Sequence, residues 1–404
     1  MNFVQLLIGR TVFDSMWAII IMSPISLPII LSVVAFHVFR HRTLVARIYK
    51  EGNVLLEIKL PREQLKSPRA MEIALSGFWV SSQGNWYSKF FKGRHRRWFS
   101  LELVSLEGSI HFVIRTNVLY QNLIEGHLYS QYPDIEIREV DDYTLDIDFL
   151  EHHEKWKGFG IELKPDKASC YPFKTYVDFE LDRDPKEELK NDPLLGIIEA
   201  MGSMGPGEYM LSQLLILPTL HEGELKKIAS DEVKKIVKKT KKVEGLDFVK
   251  SIIDTPTPGE RIIAESIEKK LMKPLFDVGL RHMYIAKRES YRSSMQYSIL
   301  NPYRVFNNPQ GNAFTVGVET DYDAPISFHG GIYPKIYRID KMTRQMFDAY
   351  RKRSYFFPPY TRTVFQLNVE ELATMYHFPG RVSETPTLAR IESKRGEAPV
   401  NLPV

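Results

Sequence analysis

Hydrophobic and polar positions divide the chain into one uninterrupted apolar run and a long remainder with mixed periods. Met16 to Phe39 reads MWAIIIMSPISLPIILSVVAFHVF, 24 residues without Asp, Glu, Lys or Arg. As a helix it spans roughly 36 Å, enough to cross a hydrocarbon core of about 30 Å. Pro24 and Pro28 each remove a helix hydrogen bond and predict a kink near mid-span. Beyond it, VLLEIKL at 54–60 predicts a strand, and Ser67-Pro68 starts a helix running to Phe78. A polar loop covers 79–97. Strands at 98–106 and 109–116 flank Glu107-Gly108, a hairpin signal. A helix at 117–131, with Val118, Leu119, Leu123 and Leu128 on its apolar side, precedes an alternating strand at 135–140.

This strand–helix–strand–strand–helix–strand order predicts an α+β fold, with a ferredoxin-like βαββαβ domain over 51–145. A second α+β domain is expected over 146–221 and 258–377. Its strands fall at 159–164, 173–181 and 208–217, after a helix at 193–203 and a turn at Gly205-Pro206-Gly207. A helix at 259–277, a strand at 281–287 and a helix at 289–299 follow. A loop covers 300–338; then come a helix at 340–352, a strand at 362–368 and a short helix to His377. Residues 222–257 interrupt this domain with a lysine-rich insertion or linker, and 378–404 form an extended tail rich in proline.

The flanks of the apolar run set its orientation. Arg40, Arg42, Arg47 and Lys50 follow it in a basic juxtamembrane segment at 40–50, whereas Arg10 alone precedes it, beside Asp14. The positive-inside rule therefore expects a single-pass protein of a bacterial inner membrane. Residues 1–15 would be a short external or interfacial tail and 40–404 would be cytoplasmic, with Arg40, Arg42 and Arg47 at the interface. A cleaved signal peptide is the competing reading. The run is too long for the usual 7–15-residue core, and no A-x-A site follows.

Composition narrows the chemistry. The single cysteine, Cys170, excludes an internal disulfide framework and a cysteine-based zinc site. A net charge of +4 over 404 residues is too small by itself to mark a nucleic-acid binder. There is no G-x-x-x-x-G-K-[ST] phosphate loop, H-E-x-x-H zinc motif, EF-hand or G-x-S-x-G elbow. His152-His153-Glu154 and His221-Glu222 lack a second histidine at ligating spacing. The expectation is a protein without catalytic, metal or cofactor residues.

Two basic clusters remain as candidate contacts. Lys92, Arg94, Arg96 and Arg97 stand beside Trp98 and Phe99; they could meet nucleic-acid phosphates or the bilayer surface, and a surface loop is favoured. Eight lysines lie between Lys226 and Lys242, among them Lys234, Lys235, Lys238 and Lys239. Leu225, Ile228, Val233, Ile236 and Val237 are at near-helical spacing there. A basic amphipathic helix against anionic lipid or a partner and a solvated insertion are equally compatible with that pattern. The aromatic stretch SYFFPPY at 354–360 reads as packing or interface.

Several passages resemble a bacterial family of membrane-anchored conjugative-transfer proteins. Among them are LPREQLKSPRAMEIALSGFW at 60–79, WFSLELVSLEGSIHFVIRT at 98–116, GPGEYMLSQLLILP at 205–218, TPGERIIAESIEKK at 257–270 and LNVEELATMYHFPGR from Leu367. The resemblance covers roughly residues 50–403 and implies the N-terminal region of type IV secretion-like, DNA-coupling ATPases. In full-length members a phosphate-loop motor domain is expected soon after the segment matching Asn401–Pro403. Here no nucleotide-binding position can be carried over, so either a separate motor-less subunit or a fragment is expected. The resulting expectation is a non-catalytic scaffold that presents a separate motor ATPase, with the lipid bilayer, other secretion subunits and further copies of itself as partners. The alternative is a membrane-tethered nucleic-acid binder using clusters 92–97 and 226–242.

Overall fold

The computed structural model describes residues 3–61, 66–80, 84–182, 192–220, 222–238, 256–321, 335–380 and 390–391. They form two compact units, Met1–Glu51 with Ser82–Arg96, and Gly52–Ser81 with Arg97–Val404.

The first unit is built on one long helix, α1 (Phe3–Lys50), which contains Pro24 and Pro28. The segment read as an N-terminal tail is thus helical from Phe3. Its Ser23–Lys50 part is long and apolar enough to cross a membrane. The segment read as a polar loop at 79–97 contains a short helix, Trp86–Phe91 (α3 in chain order), capped by the Asn85 side chain accepting from the Ser88 backbone N–H at 3.0 Å. Six residues give no periodic signal, which is why the sequence pattern misses it.

In the second unit, β1 (Asn53–Pro61), α2 (Pro68–Ser76), β2 (Phe99–Leu106), β3 (Ser109–Asn117), α4 (Gln121–Gln131) and β4 (Glu136–Val140) follow the predicted order. Their strands lie in the order β4-β1-β3-β2, every pair antiparallel. The β2–β3 turn places both Glu107 (φ 54°) and Gly108 (φ 92°) in the left-handed region, as a two-residue hairpin requires. The chain continues through β5 (Trp156–Pro165), α5 (Pro193–Gly202), β6 (Glu208–Pro218), α6 (Glu222–Lys238), α7 (Pro258–Leu271), β7 (Leu275–Lys287), α8 (Met295–Leu300) and β8 (Phe314–Glu319). These strands lie in the order β8-β5-β7-β6, again antiparallel. That is the same order as in the first half, strand for strand. The halves join where β2 pairs with β6, from Phe99↔Ile216 to Leu106↔Tyr209.

The two α+β regions expected as separate domains therefore share one ten-stranded sheet. After it come α9 (Lys335–Arg351), β9 (Phe365–Asn368) beside β7, α10 (Val369–Met375) and β10 (Arg390–Ile391), which runs parallel to β1. Both faces of the sheet are covered, so its strands read as near-continuous apolar runs. One face buries Leu56, Leu101, Ile114, Leu214, Leu280 and Ile161 under α2, α4, α5, α8 and α10. The other buries Val104, Val113, Leu211 and Met283 against Phe149 and against Met346, Phe347 and Tyr350 of α9.

Several predicted elements differ. Val118 and Leu119 are 52% and 73% exposed, whereas Leu128 is buried as expected, together with Ile124, and Leu123 packs against the same core. Residues 173–181 form no strand, being irregular to 175 and turns from 176: the Phe173 N–H donates to the Glu371 carboxylate at 2.9 Å and the Tyr176 N–H to the Thr374 hydroxyl at 2.8 Å, side-chain acceptors replacing a strand neighbour. The helix expected to reach 277 ends at Leu271, because Leu275–Val278 pairs with β9. Within the loop expected at 300–338 lies β8, held against β5. Phe378, assigned to the extended tail, is buried, its ring 4.9 Å from that of Tyr132.

Candidate functional site

The basic residues expected to form one cluster are placed in three different roles. Within the first unit, the segment 84–96 folds back along the end of α1. Phe90 stacks on Phe36, with ring centroids 6.3 Å apart, and the Arg40 guanidinium lies 5.3 Å from the Phe90 ring centre. Gly93 has φ +62°, and a Cβ there would sit 2.7 Å from the Thr43 carbonyl oxygen. Glycine is needed for that close backbone approach. Arg47 donates to the Lys92 carbonyl at 3.4 Å and to Glu51 at 3.1 Å, and His95 Nε2 is 3.6 Å from the same carboxylate. Lys92 and Arg94 are exposed, whereas Arg96 is half-buried. Arg97 belongs to the second unit and stacks on Tyr120 at 5.6 Å. Arg42 lies on α1, one residue before Thr43.

The lysine-rich segment is helical as far as Lys238. Its apolar side is occupied: Leu225 and Ala229 are buried with Cys170, Ile267 and Leu275, and Val233 and Ile236 pack against that cluster. Of the two readings left open for this segment, the described part is a helix, and its apolar side packs against α7 within the chain. Lys226 pairs with Glu222 at 3.4 Å, Lys234 with Asp231 at 3.9 Å and Lys235 with Glu232 at 2.6 Å. Lys239 and the lysines after it lie outside the described residues.

A third constellation has no counterpart among the predicted sites. Glu102 on β2 is the register partner of Gln213 on β6, Gln213 of Arg281 on β7, and Arg281 of Glu162 on β5. All four are buried, forming one polar row across the joint between the halves. Gln213 donates to Glu102 at 3.0 Å and accepts from Arg281 at 3.3 Å, and Arg281 reaches Glu162 at 2.7 Å. The end of α9 closes the row. Arg353 donates to both Glu102 oxygens, at 3.0 and 3.1 Å, and to Asp142. Arg362 lies 3.2 Å from the second Glu162 oxygen, and the Tyr143 hydroxyl donates to Glu102 at 2.6 Å.

Charge balance follows, with Arg353, Arg281 and Arg362 facing Glu102, Asp142 and Glu162. Burial pushes the Glu102 carboxyl up, but the charge and hydrogen bonds of Arg353 outweigh it and hold the group below its ordinary range. Asp142 is depressed by the same opposition of burial and Arg353. Burial, reinforced by the Glu102 charge, raises Tyr143 well above the usual phenol value, so it remains a proton donor. A signal for this row does exist in the sequence: SLELV, LSQLL, GLRHM and GIELK each place a charged or amide side chain at the centre of an otherwise largely apolar strand. Sequence alone does not show that the four stand side by side. No protein-family model matches the chain, and no curated protein matches its sequence.

Proposed function

We propose that the chain is a membrane-anchored, non-catalytic scaffold of a type IV secretion-like, conjugative translocation machine. The helix at 16–39 crosses the bacterial inner membrane with its N-terminus outside, and residues 40–404 stand in the cytoplasm to organise a separate motor ATPase. Each half of the sheet is read as a ferredoxin-like βαββαβ unit, the second with α6 and α7 inserted between its middle strands. The observation that carries the platform reading is the polar row at the joint. Its buried charges are committed to one another, an arrangement suited to fixing two halves rigidly and leaving no acid or base poised toward a substrate. The secretion assignment rests on the sequence resemblance.

Affinity purification of the full chain from cross-linked native membranes tests it. Co-recovery of a phosphate-loop ATPase with other conjugation components is expected. An intact, membrane-bound chain that recovers neither would overturn the assignment.

A further inference from the structure

We infer that α3 and the end of α1 together form an interfacial finger that inserts aromatic rings at the bilayer boundary and reads anionic lipid headgroups. Three large rings of this six-residue helix touch one another yet stay open to solvent: Trp86 is 68% exposed, Tyr87 50% and Phe91 44%, with the Phe91 ring 5.3 Å from Tyr87 and 6.2 Å from Trp86. In water such a concentration on so short an element is costly, and packing against α1 does not relieve it, since Phe90 alone stacks there.

The level of the finger along α1 supplies the explanation. Phe90 contacts Phe36 and Arg40, which bracket the end of the apolar run at Phe39. Four residues of helix rise about 6 Å, so the rings lie at the depth where indole and phenol groups collect at membrane surfaces. The finger cannot slide from that depth. Gly93 abuts the α1 backbone at Thr43, and Arg47 bonds the Lys92 carbonyl.

Charge selects the headgroup. Glu51 is the sole acidic residue in 23–51 and 84–96, and it faces Arg47 and His95; each of those two segments carries four Lys or Arg. Lys89 and Lys92 are exposed on and just after α3, and the Lys92 ammonium lies 5.8 Å from the Tyr87 ring centre. A basic rim around aromatic rings, continuous with a membrane-length helix, complements an anionic bilayer surface.

This inference rests on the membrane-crossing reading of α1, and the experiment separates the two. The full chain is reconstituted into phosphatidylcholine vesicles, with or without phosphatidylglycerol, whose acyl chains are brominated near the headgroup. Emission present in the wild type and absent from Trp86→Phe reports on Trp86 alone. That difference emission is expected to be quenched by brominated lipid and shielded from aqueous iodide. The anionic lipid should strengthen quenching, and Lys89→Gln with Lys92→Gln should remove that gain, each charge being worth about fivefold in partitioning to an anionic surface. If the chain resists alkaline extraction while Trp86 stays open to iodide, the finger faces water for a protein or nucleic acid, and the inference fails. Quenching indifferent to phosphatidylglycerol overturns the headgroup reading. Release of the chain at alkaline pH overturns the anchor itself.

Discussion

The two halves of the sheet have the same strand order and very different connections. Between β2 and β3 the chain turns in two residues, Glu107 and Gly108. Between the corresponding β6 and β7 it leaves at Thr219, builds α6 and α7, and returns at Pro274. Closing a longer loop costs entropy only logarithmically, so the strand pairing survives the insertion. The halves differ again in charge. Glu102 stands in the first, Arg281 and Glu162 in the second, and Gln213 bridges between them. The second half pairs its own Arg281 with Glu162, whereas Glu102 in the first takes its cation, Arg353, from the segment after α9, which also brings Arg362 to Glu162.

The sharpest way to break that comparison is to remove one arginine at a time. Arg353→Ala leaves Glu102 without its cation in a buried site, and a loss of about 3–5 kcal/mol is expected. Arg281→Ala should cost less, since Arg362 remains 3.2 Å from Glu162. Guanidinium denaturation of the detergent-solubilised full chain measures both, and equal losses would show that the second half does not share its cations in this way.

A smaller effect separates the two connections. Gly108 has φ +92° and a Cβ there would meet the Met204 carbonyl at 2.6 Å, so Gly108→Ala should cost about 1–3 kcal/mol. Gly223, in α6 of the long connection, has nothing within 4 Å of an added Cβ. Gly223→Ala should be neutral, or stabilising by up to ~1 kcal/mol through helix propensity. Similar losses at both glycines would contradict the contrast between tight turn and open insertion.

Two buried histidines sharpen the comparison through pH. His282 on β7 stacks on Tyr303, with centroids 4.0 Å apart, and burial depresses its pKa from 6.5 to about 3. Its protonation favours the unfolded chain, so stability should fall as pH drops from 6.5 toward 3, by at most about 1.4 kcal/mol per pH unit. His377 is also buried, which lowers its pKa, but Asp192 at 3.0 Å outweighs burial and raises it above 6.5. That stabilisation is complete below 6.5 and is lost as pH rises through the folded value. Melting curves of His282→Phe and His377→Gln across pH should each lose one arm of the dependence, acid and alkaline respectively; a shared arm would rule out the assignment.

The least effect is expected on the surface of α6. Lys226→Gln, Lys234→Gln and Lys235→Gln interrupt exposed i,i+3 and i,i+4 pairs and should leave the melting temperature unchanged. Leu225→Ala, beneath the same helix, should lower it measurably. If the lysines mattered as much as the leucine, α6 would not be a helix held by its apolar face.

Particular residues show where the sequence was readable. The strand-like runs at 98–106 and 109–116 and the Glu107-Gly108 pair between them marked a hairpin because they act between neighbours in the chain. Ser67-Pro68 likewise marks a helix start locally. Residues 173–181 looked equally strand-like and are not, because their N–H groups find partners on α10, nearly two hundred residues away. The basic cluster at 92–97 reads as one patch, yet Arg97 stacks on Tyr120 while His95 turns to Glu51. Side-chain direction depends on packing that residue spacing does not encode.

The apolar length of α1, the order of elements in each half and the absence of familiar catalytic motifs follow from the sequence, since each depends on residues close together in the chain. The tertiary structure alone decided that both halves share one sheet, that Glu102, Gln213, Arg281 and Glu162 stand in one row, and that the rings of α3 gather beside the end of α1. Those three outcomes require pairing between distant segments, and buried charge or close backbone contact can select such pairing only once the chain has folded.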